Sequence, residues 1–461
     1  MLPHNPRLWI RSLWILDGAI CGCQQCHHGL VVSEPATSGI AAMHVCVIGA
    51  GVVGVTTAWY LARQGLKVTL VDRLEAAAQG ASYANGGQLS YSYVAPLAGP
   101  GVLGNLPDWL LNADSPLRFH PRLDLHQWRW CLNFMRACTL GRSRKTTAEL
   151  LELSYYSREL VHQLMVGDAL QFNYRRNGKL IVYRDSRSLA AGMQQVAFQA
   201  ALGSQQHGLS REQCLALEPT LAHIGPSLAG AIHTPSEEVG DCRLFTQGLL
   251  DRLMATGQVE TLFNTEVVEL RRERRRIAAV ATTQGELQVD GVVICSGVAS
   301  RPLLRNLGIH LPLYPLKGYS LDIPLTEESV RRVPGISVTD SARKVVYAPL
   351  GQSLRVAAMV DMGTGNDRID PLRIELLKKQ VRETFPDLDL SNARPWAGLR
   401  PATALSKPII DVTRLRNLWL NVGHGALGFT LACGSARALA SLVCGEQPAI
   451  NLIPFQASKV C

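Results

Sequence analysis

VCVIGAGVVG, at residues 45–54, joins an apolar run rich in β-branched residues to Gly49, Gly51 and Gly54, in GxGxxG spacing. A helical pattern follows, and then a second strand-like run, KVTLV at 67–71, which ends at Asp72. This order is a βαβ unit with a dinucleotide-binding fingerprint. Its glycines permit a tight turn, close approach of a pyrophosphate, and packing of helix on strand. The helix N-terminus offers N–H groups to phosphates, and Asp72 stands where a carboxylate binds ribose hydroxyls.

Length and charge limit the class of protein. A chain of 461 residues that is 47% hydrophobic can bury a large core and is expected to hold about two domains. Its 46 basic residues exceed its 37 acidic ones by nine, which favours an anionic partner or substrate. The densest basic cluster, RRERRR at 271–276, lies between two strand-like runs and is interpreted as a solvated hairpin turn. No aromatic residue interleaves it, so nucleic-acid binding is not expected; contact with membrane headgroups is the alternative.

The cysteines indicate a reducing compartment. Of twelve, nine are scattered singly after residue 42, several of them within apolar runs, as is typical of free buried thiols. We therefore predict neither a disulfide framework nor a metal site, and a cytoplasmic location.

Residues 1–42 differ from the rest of the chain. CQQCH at 23–27 matches the CxxCH pattern of covalent haem attachment, but 42 residues leave little chain to bury a haem. The apolar run LWIRSLWIL at 8–16 is interrupted by Arg11 and is too short for a membrane span. We expect Met43 to be the true start, with residues 1–42 a disordered extension or an artefact of start-site choice.

Three further stretches suit a long cofactor. The small polar loop GASYANGGQLS, at 80–90, could run beneath a ring system, although composition alone equally allows a surface loop. VDGVVICSG, at 289–297, is predicted to form a strand that returns to the sheet of the βαβ unit, although an ordinary core strand is an equal alternative. LWLNVGHGALGFTLACGS, at 418–435, combines a strand, a glycine cluster and an alanine-rich helix. The N–H groups of such a turn suit an electron-rich acceptor, such as the pyrimidine edge of a reduced flavin.

From residue 43 to about residue 455 the chain resembles the FAD-dependent amine oxidases of the D-amino-acid oxidase superfamily, and within it the small subunits of bacterial D-amino acid dehydrogenases. The blocks that carry the resemblance occur in the same order: VCVIGAGVVGV (45–55), GASYANGGQLS (80–90), VAPLAGPGV (94–102), VGDCRLFTQGL (239–249), LKGYSLDI (316–323), WAGLRPAT (396–403) and LWLNVGHGALGFTLACGS (418–435). The extension before Met43 has no counterpart in the family, and residues 344–350 are more apolar than in relatives.

The resemblance implies an α/β fold, with a Rossmann-like FAD-binding domain of the D-amino-acid oxidase type and a second, α+β substrate domain. The FAD-binding domain is expected to be discontinuous, formed by residues 43–90, 239–309 and 393–461. The substrate domain would comprise residues 91–238, which read as largely helical, and 310–392, which show short β patterns.

The resemblance also implies FAD as cofactor. The glycine triplet would hold the pyrophosphate, Asp72 the ribose, Val267 the adenine, and the glycines around His424 the pyrimidine edge. The expected cofactor-binding residues are Val45, Cys46, Val47, Ile48, Gly49, Ala50, Gly51, Val52, Val53, Gly54, Asp72, Arg73, Ser82, Asn85, Gly87, Gln88, Val267, Gly297, Gly423, His424, Gly425, Gly428 and Thr430.

An amino acid oxidised at its α carbon needs a cation for its carboxylate, preferably a bidentate arginine. Arg400 is the predicted clamp, because the resemblance places a substrate-binding arginine in the block GLRPAT and Pro401 stiffens the loop. Tyr319 and Tyr347 are predicted to hydrogen-bond the substrate, with core packing an equal alternative. His424 is expected to be a flavin neighbour rather than a general base.

The activity implied by the resemblance is oxidative deamination of D-amino acids, with D-alanine the expected substrate. Electrons would pass from FAD to a quinone or another electron-transport acceptor, with peripheral association at the cytoplasmic face of the inner membrane. The alternatives are an amine oxidase of the glycine or sarcosine type that uses oxygen, and a non-catalytic FAD-binding electron-transfer subunit.

Overall fold

The protein is described by a computed structural model that covers residues 43–104 and 114–460. These residues belong to one of two compact units, Gly39–Cys461; the other unit, Met1–Ser38, and the predictions for residues 1–42 lie outside the described residues. The described α-helices of six or more residues are α1 (Val52–Arg63), α2 (Leu125–Ala137), α3 (Leu140–Asp168), α4 (Ser186–Ala200), α5 (Arg211–Leu217), α6 (Cys242–Met254), α7 (Ser300–Arg305), α8 (Pro371–Thr384) and α9 (Gly428–Val443).

The strands form two main sheets and two small ones. In chain order they are β1 (His44–Ile48), β2 (Lys67–Val71), β3 (Gln88–Leu89), β4 (Leu117–Phe119), β5 (Lys179–Tyr183), β6 (His207–Leu209), β7 (Gly230–Thr234), β8 (Glu238–Val239), β9 (Val259–Leu262), β10 (Val267–Glu273), β11 (Arg276–Thr282), β12 (Gly285–Leu287), β13 (Gly291–Ile294), β14 (Tyr314–Pro324), β15 (Ser337–Asp340), β16 (Val345–Leu350), β17 (Ser353–Met362), β18 (Arg394–Ala402), β19 (Ile409–Val412) and β20 (Leu418–Val422).

The predicted βαβ unit lies at the centre of a six-stranded sheet, ordered β19-β20-β13-β1-β2-β9. Every pair in it is parallel except β19 with β20. Strands β1 and β13 are almost wholly buried, which explains why they read as continuous apolar runs rather than alternating ones. The carboxyl ends of β1, β13 and β20 meet at one edge, so the three glycine-rich turns that follow them come together there.

The second large sheet runs β18-β14-β17-β16-β15-β5-β7-β6, with β4 also paired to β17. Strand β14 is antiparallel to both β18 and β17, and Leu316 faces Arg400 in the β14–β18 register. The β patterns predicted at 319–323 and 354–359 lie within β14 and β17, and the helical patterns at 125–135 and 149–165 lie within α2 and α3. The predicted α/β fold with a Rossmann-like sheet is confirmed.

The basic cluster forms the hairpin that the sequence predicts. Strands β10 and β11 pair antiparallel, with the turn between Glu273 and Arg276, and Arg274 adopts a φ of +51°. The side chains of residues 271–276 are exposed to solvent.

Helix α9 forms much of the core around the first sheet. It packs against α1 and α3, and nearly all of its side chains are buried. The segment Gly425–Val443 is long and apolar enough to cross a membrane, but 72% of its most apolar window is buried inside the fold. Its hydropathy is therefore explained by core packing.

Sheet membership follows the predicted segments with one difference. All strands of the six-stranded sheet lie in 43–90, 239–309 and 393–461, and all strands of the larger sheet except β18 lie in 91–238 and 310–392. Strands β10 to β12, and β3 with β8, form the two small sheets. Strand β18, Arg394–Ala402, lies after the predicted boundary at 393 but pairs with the larger sheet. Arg400 is therefore held by the sheet that faces the nucleotide-binding fold, not by the nucleotide-binding sheet itself.

Candidate active site

A single continuous cavity of about 1360 Å³ reaches from the glycine turn after β1 to Arg400. Ordinary small-molecule pockets enclose about 300–1,000 Å³, so this cavity has room for a large cofactor together with a small substrate. Its walls come from the carboxyl edge of the first sheet, the loop at 80–90, the helix α2 and the larger sheet.

The glycine turn has the shape that a pyrophosphate requires. Gly49 has a φ of +106°, and a Cβ there would stand 2.8 Å from the carbonyl oxygen of Cys295. Gly51, the N-cap of α1, brings no side chain to cap the helix, and the first turn of α1 contains no acid. A Cβ on Gly54 would overlap the carbonyl of Gly49, so this glycine serves helix packing and does not line the cavity. The positive end of α1 is thus left available to an anion.

Asp72 lies at the cavity wall, after β2. Its carboxylate accepts hydrogen bonds from the backbone N–H groups of Ala50, at 2.6 Å, and Leu74, at 2.9 Å. Each carboxylate oxygen has a further lone pair, so the same group can still accept from a ribose hydroxyl. Asp72 therefore both fixes the glycine turn and faces the cavity.

The loop at 80–90 is tied to α1 and to the larger sheet. The Ser82 hydroxyl accepts from the N–H of Val52 at 3.0 Å, and Asn85 Oδ1 accepts from the N–H of Gly87 at 3.0 Å. Gln88 donates to Ser337 through its Nε2 and accepts from Lys179 Nζ, at 2.7 Å, through its Oε1. These contacts hold the loop against the cavity, so it is not a free surface loop.

Lys179 and Glu237 are buried titratable residues that the sequence did not indicate, and the charge of each affects the pKa of the other. Lys179 is fully buried at the cavity wall, with its Nζ 2.9 Å from Ser90 Oγ and over the ring of Tyr93. Burial lowers the pKa of Lys179 to about 8, and the charge of Glu237 opposes that change. Burial raises the pKa of Glu237 to about 7, opposed by Lys179 and by the N–H of Ser92.

The turn between β20 and α9 supplies a second set of backbone groups. Gly423 and Gly425 have φ values of +82° and +55°, and both line the cavity with Gly428 and Thr430. His424 is buried among them, with Nε2 2.9 Å from Ser435 Oγ. Burial lowers the pKa of His424 to about 3, so its ring is neutral at physiological pH and is a poor reservoir for a proton.

Arg400 is the cation of the cavity's far end. Its Nη1 donates to the carbonyl oxygen of Met359 at 3.0 Å, and no carboxylate forms an ion pair with it among residues 43–104 and 114–460. Burial lowers the pKa of Arg400 to about 10, which leaves the guanidinium protonated at neutral pH. A desolvated guanidinium without a counter-ion is a binding site for an anion, and its fork matches a carboxylate.

Two features of the neighbouring strands position this guanidinium. A Cβ on Gly318, in β14, would overlap the guanidinium of Arg400. The β14–β17 register shifts between Lys317 and Tyr319, and opposite the shift Met359 has a φ of +68°, rare for a residue with a side chain. This β-bulge turns the Met359 carbonyl toward Arg400.

The two tyrosine predictions have different outcomes. Tyr347 does not line the cavity: it is fully buried in the core, its hydroxyl lies 3.1 Å from Thr384 Oγ1, and its ring packs edge-on against Phe385. The prediction that it contacts the substrate is therefore wrong. Tyr319 does line the cavity, but its hydroxyl donates to Asp361 at 2.8 Å, and Asp361 pairs with the buried Arg373. Tyr319 therefore forms part of the cavity wall, but its hydroxyl is not free to donate a hydrogen bond to the substrate.

The structure brings most of the predicted cofactor residues to one cavity. The predicted residues that line it are Ile48, Gly49, Gly51, Val52, Val53, Asp72, Arg73, Ser82, Asn85, Gly87, Gln88, Val267, Gly297, Gly423, His424, Gly425, Gly428 and Thr430. Those that do not are Val45, Cys46 and Val47, which lie inside the sheet, Ala50, which donates its N–H to Asp72, and Gly54. These five residues lie behind those that line the cavity.

The residues present fit FAD. The cavity wall includes the turn at Gly49, which has no side chain, and the N-terminus of α1, whose first turn contains no acid. It also includes the Asp72 carboxylate, which can accept a hydrogen bond from a ribose hydroxyl. The backbone turn at Gly423–Gly428, at the same edge of the sheet, lines the same cavity. Pyrophosphate, ribose and the flavin ring each have a complementary group within one continuous space.

Comparison with known proteins gives the same family. The family model described as "FAD dependent oxidoreductase" (DAO) matches residues 44–442. The chain is 48% identical to D-amino acid dehydrogenase 2 of Ralstonia nicotianae over 425 residues, which are 90% of this chain and 100% of that protein. It is 45% identical to D-amino acid dehydrogenase 2 of Pseudomonas aeruginosa, over 89% of this chain and 97% of that one.

Among solved structures, glycine oxidase from Geobacillus kaustophilus has a similar fold, with a TM-score of 0.71 at 20% identity, over 90% of this chain and 98% of that one. This likeness concerns the fold alone. The match of the family model over most of the chain, with two relatives above 40% identity, confirms the predicted family: the chain belongs to the DAO family of FAD dependent oxidoreductases.

Proposed function

We propose that this protein oxidises D-amino acids to 2-oxo acids and ammonia. The observation that carries the proposal is the partly buried guanidinium of Arg400, which has no carboxylate partner among the described residues and lies in the same cavity as the dinucleotide-binding turn. The names of the relatives from Ralstonia and Pseudomonas support D-amino acids as the substrate class. When bound, FAD supplies the two-electron acceptor for the hydride that leaves the α carbon.

In this proposal Arg400 pins the substrate carboxylate through a bidentate hydrogen-bonded pair. The same sheet contributes Met359, Met362 and Trp396 to the cavity wall, where they form an apolar surface for the side chain. A fixed carboxylate and a side-chain slot on one face together select one enantiomer, because exchanging hydrogen and side chain at the α carbon removes one of the contacts. His424 stays neutral, and its backbone pairs with Ala402 at the end of the strand that carries Arg400.

The proposed net reaction converts a D-amino acid, water and an oxidised acceptor into a 2-oxo acid, ammonia and the reduced acceptor. The α hydrogen leaves with two electrons, the amine loses a proton to form the imine, and water then hydrolyses the imine. With a quinone as acceptor, two electrons and two protons give the hydroquinone. We further propose D-alanine as a substrate, and peripheral association with the cytoplasmic face of the inner membrane, where a lipid-soluble quinone is found.

We also infer that the two sheets correspond to two domains: a discontinuous FAD-binding domain and a substrate domain that contributes Arg400. The strands of the two large sheets support divisions near residues 90, 238 and 309, and the pairing of β18 with β14 supports a last division after Ala402.

Anaerobic bleaching of the flavin tests the proposed function. The holoenzyme is mixed with D-alanine, L-alanine, glycine or sarcosine, and the visible flavin absorbance is followed. We expect bleaching by D-alanine and none by L-alanine. Bleaching by glycine or sarcosine with rapid peroxide formation in air would favour an oxygen-using amine oxidase instead. An enzyme that no amine bleaches would favour an electron-transfer subunit.

A further inference from the structure

The helix α2 carries an exposed apolar face. Leu125, Trp128, Leu132 and Met135 follow one another at spacings of three and four residues, so they lie on one side of the helix. Their exposed fractions are 86%, 49%, 42% and 44%. The buried side of the same helix is formed by Gln127, Trp130 and Ala137. Helix α2 is therefore apolar on both sides, whereas a surface helix of a soluble domain is normally polar on its outer side.

Exposed arginines border this apolar face. From residue 116 to residue 147 the chain has seven basic residues and one acid, a net charge of +6, and that acid, Asp124, caps α2. Arg129 and Arg136 lie on α2 one heptad apart, and Arg142 follows at the start of α3; all three are exposed. None of the three forms an ion pair with a carboxylate within the described parts of the chain. The face thus combines exposed leucine and tryptophan with a positive rim.

The cavity opens at this face. Trp128 and Met135 belong both to the exposed apolar face and to the cavity wall, and Leu97, which is half exposed, lines the cavity beside them. The Trp128 indole N–H donates to the carbonyl of Arg122 at 2.9 Å, and its ring packs edge-on against Phe119, another wall residue. Whatever covers the outer side of α2 therefore also covers the entrance to the cavity.

We propose that the outer face of α2, defined by Leu125, Trp128, Leu132 and Met135, docks on an anionic lipid membrane and presents the mouth of the cavity to the lipid. Apolar side chains with an aromatic ring on one side, bordered by arginines, are the composition of helices that lie in the headgroup region. The positive rim complements anionic headgroups, and the net charge of +6 over residues 116–147 disfavours a positively charged partner. The proposed docking is supported by the composition and exposure of this surface alone. Delivery of a lipid-soluble electron acceptor through the mouth of the cavity rests on the proposed function.

Vesicle co-sedimentation of the FAD-loaded protein tests the docking. The vesicles contain phosphatidylcholine alone or phosphatidylcholine with phosphatidylglycerol. We expect binding to the anionic vesicles that weakens with added salt, and a loss of about tenfold or more in the double variant Leu125→Glu/Leu132→Glu, neither of whose positions lines the cavity. The variant Arg129→Glu/Arg136→Glu should lose binding to anionic vesicles in particular.

A matched control replaces exposed apolar residues elsewhere. Val166 and Leu372 are 88% and 74% exposed, but they lie near the end of α3 and at the start of α8. The variant Val166→Glu/Leu372→Glu should bind vesicles as the wild type does. Retained flavin absorbance and bleaching by D-alanine in the α2 variant would show that it is folded, so that a loss of lipid binding reports on the surface.

Three outcomes would overturn the docking. They are wild-type protein that binds neither vesicle, an α2 variant that binds as tightly as the wild type, and a wild-type dimer that the α2 variant dissociates without any lipid binding. The last would assign the face to a second copy of the chain. If instead D-alanine fails to bleach the flavin while lipid binding behaves as expected, the result would contradict the proposed substrate and support the proposed docking.

Discussion

The guanidinium of Arg400 lies against the α carbon of Gly318 on the neighbouring strand, in a space that any side chain at 318 would fill. The two residues face the cavity from β18 and β14, whose pairing places Leu316 opposite Arg400. The side chain of Arg400 thus crosses the sheet surface toward β17, where the carbonyl of Met359 receives it. Gly318 and the bulge at Met359 together determine the orientation of the Arg400 guanidinium, which has no carboxylate partner among the described residues.

Gly318→Ala should therefore damage substrate binding more than stability. The added methyl displaces the guanidinium, so we expect the KM for D-alanine to rise about 10- to 100-fold, the range for losing one to two charge-assisted hydrogen bonds. Flavin content should stay normal, since Gly318 lies in the larger sheet, whereas the glycine turn follows β1 of the six-stranded sheet. Steady-state kinetics and the flavin absorbance measure both effects. Gly141→Ala, at an open position on α3, is the control, and equal kinetic effects in the two variants would contradict the role of Gly318.

Arg400→Ala should remove most turnover of D-alanine and leave FAD in place. Loss of a bidentate carboxylate pair predicts a fall in kcat/KM of about 10²- to 10⁴-fold. Because the guanidinium is desolvated without a counter-ion, its removal should not lower the melting temperature of the substrate-free protein. Arg400→Lys keeps the charge without the fork and should fall between wild type and alanine. Unchanged kinetics, or loss of flavin together with activity, would refute the assignment.

Residues close together in sequence were predictable from local patterns, whereas residues joined by strand pairing were not. The glycine triplet, the strand before it and Asp72 form one βαβ unit, so their positions follow from spacing alone. Gly318 and Met359 reach Arg400 only through the pairing of β14 with β18 and β17, and no local motif reports such pairing. Lys179 and Glu237 lie far apart in the chain from Gln88, and a lone lysine in a strand gives no sign of burial.

The error at Tyr347 has a structural cause. Side chains alternate along a strand, and β16 turns Val346 to the cavity, which sends Tyr347 into the core. A local run of apolar residues does not reveal which of the two faces lines a site. For Arg400 the family resemblance supplied the information that its isolated sequence position lacked.

The buried pair Lys179–Glu237 predicts a minimum of stability near neutral pH. Glu237 binds its proton more tightly in the folded state, with a pKa raised to about 7, so its contribution to stability falls as the pH rises from about 4.5 to 7. Lys179 releases its proton more readily in the folded state, with a pKa lowered to about 8, so stability recovers as the pH rises from about 8 to 10.5. The free energy of unfolding should therefore be lowest between about pH 7 and 8.

Urea unfolding at a series of pH values measures this profile. The double variant Lys179→Met/Glu237→Gln removes both titrations and should flatten the minimum. Lys378→Met/Glu375→Gln, which removes a solvent-exposed pair 2.8 Å apart on α8, should leave the profile unchanged between pH 5 and 10. A minimum that persists in the first double variant would assign it to other groups.

Asp72→Ala should weaken FAD binding by two separate effects. The carboxylate accepts the N–H groups of Ala50 and Leu74 and so holds the glycine turn, and its free lone pairs face the cavity where the ribose is expected. We expect the FAD dissociation constant of the apoprotein to rise about 10- to 100-fold, the equivalent of one or two hydrogen bonds to a charged group. Asp72→Asn should not restore affinity, because an amide nitrogen would face one of two backbone donors. Fluorescence titration of apoprotein with FAD measures the change, with Asp387→Ala, at an exposed position, as control. If Asp72→Ala binds FAD with wild-type affinity, the ribose does not bind at Asp72.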